Sequence, residues 1–106
     1  PDDNNVLLLE SAGLTNLMTA MIDKEDISTY IYRGTNYLYD QIIVSNNILD
    51  KKGFTLAGST AYILDLPKYR QQKGKYKNYP FRFWAGNKLL GGYSDHLAVK
   101  VNFVIK

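Results

Sequence analysis

The sequence predicts an α+β domain, and three features predict it. Capping side chains ahead of a short apolar run, with Gly13 beyond its end, read as a helix. Middle segments rich in tyrosine, isoleucine and valine alternate with turn residues, which is the pattern of antiparallel strands. The closing residues alternate strictly, Leu97, Val99, Val101, Phe103 and Ile105 facing one way and Ala98, Lys100, Asn102 and Val104 the other.

In chain order, Pro1-Asp2-Asp3-Asn4-Asn5 offers the caps and Val6 to Glu10 the helix. Leu14, Leu17, Met18, Met21 and Ile22 then recur at helical spacing on one face, so a second helix is expected, both helices packing on a sheet. Its methionines are read as core filling. Asp23-Lys24-Glu25-Asp26 is a polar connection, read as a solvated turn. Thr29–Tyr32 and Tyr37–Ser45 are strands expected to pair antiparallel around a four-residue turn, Arg33-Gly34-Thr35-Asn36. The second of these is apolar on both sides and so predicted to be central, which buries Asp40. A carboxylate in such surroundings needs hydrogen-bond donors, from backbone N–H groups or from a side-chain partner.

Asn46-Asn47 and Lys51-Lys52-Gly53 turn the chain into strands at Phe54–Ala57 and Ala61–Leu64, with Gly58 and Ser59 marking a bulge between them. Residues 68–79 carry five bases, three tyrosines and no acid, a composition read first as a solvated loop, although interleaved cations and rings also suit nucleic acid. Pro80–Trp84 reads as a short strand or edge, with Gly86 and Asn87 turning before Leu89-Leu90.

Within 106 residues there is room for one domain, and a 45% apolar, 22% charged, 13% aromatic composition argues against disorder. Cysteine is absent, which excludes disulfides and thiolate metal sites and leaves the compartment open. The longest unbroken apolar run, Val6–Leu9, is far too short to cross a bilayer, and no secretory leader pattern is visible. Charge is divided unevenly: residues 1–50 hold eight acids and two bases, residues 51–106 two acids and eleven bases. The basic half would attract phosphate-bearing partners. No phosphate-binding loop, dinucleotide fingerprint or nucleophile elbow occurs.

The chemistry concentrates at Gly91-Gly92-Tyr93-Ser94-Asp95-His96, where two glycines precede a carboxylate and the chain's one histidine at the mouth of the closing strand. This run, with the apolar strand that follows and Tyr37-Leu38-Tyr39-Asp40-Gln41-Ile42-Ile43-Val44-Ser45 upstream, resembles the endonuclease/exonuclease/phosphatase superfamily, the deoxyribonuclease I-like fold. The resemblance covers nearly the whole chain but only the second half of that family's domain. It implies half of a four-layer α/β sandwich, one mainly antiparallel sheet with helices on its outer face. It implies His96 as a base that deprotonates water, Asp40 as its orienter, and Asp95 as a ligand to Mg²⁺ or Mn²⁺. Arg82, Ser94 and Tyr93 follow as substrate contacts, Arg82 through a Pro-Phe-Arg-like segment at the rim of the site.

The substrate so implied is a phosphate ester, with the basic, tyrosine-rich loop favouring nucleic acid. The family's Asp-x-Asn motif, and the asparagine and glutamate of its first half, have no counterpart here. The 106-residue chain is therefore expected to hold no metal stably and to be inactive alone. Its sheet would need cover over Leu38, Ile42 and Val44 or over the opposite face, from the missing first half or a second copy. The alternative from the residues themselves is a non-catalytic module that holds a polyanion through its basic half.

Overall fold

The computed structural model describes residues 1–22, 24, 27–58 and 61–106. It is of the α+β class, with one α-helix and ten short strands joined in five antiparallel pairs among the described residues. Helix α1 spans Asn4–Ser11, its start capped by the Asp3 carboxylate, which accepts the N–H of Asn5 at 2.9 Å. Gly13, at φ +90°, turns the chain out of it.

The expected second helix is absent, and its residues form strand β1 (Leu14–Asn16) and a 3-10 turn at Thr19–Met21. The reason lies in Asn16, whose side chain accepts the N–H of Met18 at 2.9 Å and donates to Gln41 Oε1 at 2.8 Å. An asparagine that ties up the backbone two residues ahead competes directly with helix. The helical spacing still brought apolar residues together, because Leu17, Met18 and Met21 are buried with Leu56 and Ala61, while Ile22 stays exposed.

Strands β2 (Tyr30–Tyr32) and β3 (Thr35–Tyr37) form a hairpin tighter than expected, in which Thr35 and Asn36 belong to the second strand. The turn is Arg33-Gly34 alone, both at positive φ (47° and 80°), the twist that a two-residue hairpin favours. The long central strand expected over Tyr37–Ser45 is interrupted. Residues 38–42 are irregular, and β4 (Ile43–Ser45) pairs with β1 instead. Side chains take the place of a ladder there: Thr29 accepts from Tyr39 and Asp40, and Gln41 Nε2 donates to the Leu38 carbonyl at 2.6 Å.

Strand β5 (Phe54–Leu56) pairs with β10 (Phe103–Ile105), and β6 (Tyr62–Ile63) with β9 (Val99–Lys100). From Leu56 to Tyr62 one side advances six residues while the partner, Phe103 to Lys100, advances three. This register change splits the continuous closing strand that the alternation predicted. Gly58, at φ +90°, begins the extra segment, whereas Ser59 of the expected bulge lies outside the described residues, as do Asp23, Glu25 and Asp26 of the polar connection. The expected single sheet is thus a set of two-stranded pairs. Strands β7 (Trp84–Ala85) and β8 (Lys88–Leu89) close a small hairpin around Gly86-Asn87.

Two backbone bonds beyond these pairs position the site. The carbonyl of Thr29 accepts the N–H of Leu97 at 2.8 Å, and the N–H of Thr29 donates to the Tyr37 carbonyl at 2.9 Å. Thr29 therefore sits between the closing segment on one side and β3 on the other.

Candidate active site

His96 and Asp40, fifty-six positions apart, meet: Nδ1 of the imidazole lies 2.7 Å from Oδ2 of the carboxylate. Asp40 is not buried as the strand pattern predicted; about a third of its side chain, like that of His96, remains exposed. It stands on the irregular 38–42 segment, and its side chain meets His96 rather than the apolar cluster.

Thr29 holds both members in register. It is fully buried, its hydroxyl oxygen accepts the N–H groups of Tyr39 (3.1 Å) and Asp40 (3.2 Å), and its carbonyl receives Leu97, the residue after His96. Sequence reading missed it, because a threonine in a strand signals only β-propensity; that the segment ten residues on needed an acceptor was invisible. Thr29→Val, which keeps the volume and removes that acceptor, is expected to cost about 1–3 kcal/mol. Urea denaturation followed by circular dichroism measures it, and an unchanged midpoint would contradict the role given to the hydroxyl.

The glycines shape the approach to the histidine. The carbonyl of Phe81 accepts the N–H groups of Tyr93 and Ser94 at 2.6 and 3.2 Å, and that of Arg82 accepts Gly92 at 3.2 Å. Segment 91–94 thus lies flat against the backbone of Phe81 and Arg82. Gly91 supplies a positive φ of 75°, and Gly92 supplies the close approach, since a Cβ there would fall 2.6 Å from the Arg82 oxygen and closer still to Phe81. Ser94 Oγ then accepts the N–H of His96 at 3.0 Å, fixing the turn that presents the imidazole. The ring of Tyr30 supports it at 4.9 Å between centroids.

His96 and Asp95 line two adjacent cavities that share Tyr93 and Ser94. A mostly apolar one of about 180 Å³ takes in His96 with Leu64 and Tyr69. The other, of about 320 Å³, is lined by Arg82, Phe83, Trp84 and Asp95. Five of the six residues picked out from sequence therefore line these two cavities, and the sixth, Asp40, is joined to them through His96. Tyr93 is largely exposed, its ring edge-on to Tyr69, and Ser94 already spends its oxygen on the turn. Arg82 has no carboxylate partner among the described residues, whereas Arg70 of the basic loop is bound by Asp65 at 2.6 Å and by the Asn78 carbonyl, and so is no free cation.

Asp95 belongs to no metal-binding cluster: among the described residues no three of His, Cys, Asp and Glu gather in a group that could hold an ion. One exposed carboxylate does not meet the several oxygen ligands that Mg²⁺ or Mn²⁺ takes, so these residues do not make a metal site by themselves. The contact between His96 and Asp40, by contrast, lies wholly within the described residues. A carboxylate at one ring nitrogen fixes the tautomer and leaves the other to accept a proton. No helix among the described residues is long and apolar enough to cross a membrane.

A family model described as the endonuclease/exonuclease/phosphatase family matches residues 5–105. No curated protein and no solved structure matches the chain significantly.

Proposed function

Because the chain belongs to the endonuclease/exonuclease/phosphatase family, we propose that it serves the hydrolysis of a phosphate ester, with His96 as general base and Asp40 as its orienter. The observation that carries this reading is the 2.7 Å contact between Nδ1 and Oδ2 at the edge of a cavity. A proton on Nδ1, held by the carboxylate, leaves Nε2 to take one from the attacking water. Arg82, without a carboxylate partner among the described residues and lining the neighbouring cavity, is suited to the charge of a phosphoryl group, and Tyr93 and Ser94 form the wall common to both cavities.

Asp95 supplies one oxygen toward a divalent cation, and the remaining ligands come from outside these 106 residues. The chain represents the second half of the family's four-layer domain and is inactive alone. The apolar side chains of Phe54, Phe103 and Ile105, which share one exposed face of the β5–β10 pair, are covered by the first half or by a second copy. Light scattering on the isolated chain is expected to give a mass above the 12.1 kDa of one copy; a monomer at high concentration that binds no hydrophobic dye would contradict this cover.

Hydrolysis of bis(p-nitrophenyl) phosphate in Mg²⁺ tests the function. The expected result is turnover by the intact protein that includes this chain, lost on chelation, and none by residues 1–106. Turnover by the intact protein that His96→Ala leaves unchanged would overturn the assignment. That outcome, together with salt-dependent binding of a polyanion, would favour a non-catalytic module.

A further inference from the structure

A cavity of about 550 Å³ lies between the β2–β3 hairpin and residues 71–90, within the range of small-molecule sites, and the function above does not use it. The residues that line it include Tyr30, Tyr76 and Tyr79, Arg33 and Arg82, and Gln71, with no carboxylate from the described residues among them. Neither arginine is ion-paired among the described residues. The two walls are tied together, because the backbone N–H of Gly34 at the hairpin tip donates to the Tyr79 hydroxyl at 2.7 Å. Tyr76 stands edge-on to Tyr79 at 5.3 Å, adding a second ring to that wall.

This cavity also borders the proposed active site at two points. Tyr30 lines it and carries the His96 ring at 4.9 Å. Arg82 lines it and also the cavity of Ser94 and Asp95. A group joined to a phosphate held beside His96 would therefore enter here.

We propose that this cavity binds a nucleotide unit of a single-stranded nucleic acid, its base against the tyrosine rings and its phosphate on Arg33 and Arg82. Guanidinium groups match phosphate oxygens in fork geometry, tyrosine rings stack on bases, and a glutamine amide suits a base edge. The alternatives within phosphate-ester chemistry fit less well. An inositol phosphate would use the cations and leave the rings idle, whereas a choline head group would meet two like charges. The inference rests on the phosphate-ester reading only in taking the occupant as part of the substrate.

Fluorescence anisotropy with a fluorescein-labelled hexathymidylate, compared with a hexamer of abasic tetrahydrofuran units of equal charge, tests it at one fixed salt concentration. The base-bearing oligomer is expected to bind the intact protein that includes this chain, with divalent cations chelated, about 10-fold tighter or more. Tyr76→Ala, at a half-exposed ring whose loss spares the core, should remove most of that preference and Tyr76→Phe should keep it. Arg33→Gln should weaken both oligomers. Equal affinity for the two, a preference untouched by Tyr76→Ala, or displacement by inositol bisphosphate as readily as by thymidine dinucleotide would overturn the proposal. Its failure is separable from failure of the catalytic reading: His96-dependent cleavage of bis(p-nitrophenyl) phosphate alongside equal oligomer binding would sink only the nucleotide site. Base-dependent binding without any such cleavage would support the site and sink the catalytic role of His96.

Discussion

His96→Ala in the intact protein is expected to lower kcat for a phosphodiester roughly 10²–10⁴-fold, the range a positioned general base contributes. KM should change little, because the imidazole acts on water and adds nothing to ground-state binding. Asp40→Asn is expected to fall in the same range by a different route. The amide presents its own N–H toward Nδ1 or leaves that nitrogen free to lose its proton, so the wrong tautomer faces the water. Since the two residues act as one unit through a 2.7 Å contact, the double variant should be about as slow as His96→Ala alone. Losses that multiply would show that the residues work independently. Steady-state kinetics on the three variants, with circular dichroism to confirm folding, decides between these outcomes.

Gly92→Ala is expected to be the most damaging conservative change outside the pair. Its Cβ would fall against the carbonyls of Phe81 and Arg82, the groups that accept the N–H bonds of Tyr93, Ser94 and Gly92 itself. Backbone carbonyls cannot swing aside as a side chain does, so segment 91–94 has to lift. The cost should reach the top of the roughly 1–3 kcal/mol typical of forced overpacking. Lifting that segment also displaces the Ser94 hydroxyl that accepts the His96 N–H, so turnover should fall even at temperatures where the variant stays folded. Gly91→Ala is a useful companion. It meets no atom within 4 Å and suffers only from its φ of 75°, which costs about 1–2 kcal/mol. If both substitutions cost the same and spare activity equally, the close approach at Gly92 has no bearing on the site.

What could be read from the sequence was chiefly local chemistry. A pair of glycines ahead of Ser94-Asp95-His96, the capped first helix and the tyrosine-rich hairpin all depend on neighbours within a few residues, and each is found close to where the pattern put it. The pairing of Asp40 with His96 came through the family resemblance, since no periodicity links positions so far apart.

The failures share a cause. Leu14–Asn16 became a strand because β4 lies beside it and because Asn16 bonds both Met18 and the distant Gln41. Residues 38–42 left the ladder because a buried threonine hydroxyl offered their N–H groups another acceptor. The closing strand divided where its partner inserts extra residues. In each case a partner distant in the sequence outweighed a local preference, which is how tertiary context commonly overrides propensity.

Two-dimensional ¹H–¹⁵N NMR of the imidazole tests the account most directly, and the chain's single histidine makes its assignment unambiguous. At a pH where the ring is neutral, the expected spectrum shows the proton on Nδ1, shifted downfield and slow to exchange, with Nε2 unprotonated. In Asp40→Asn that signal should vanish or move to Nε2. A ring protonated on Nε2 in rapid exchange with water, and indifferent to the substitution at Asp40, would contradict the pairing on which the proposed chemistry stands.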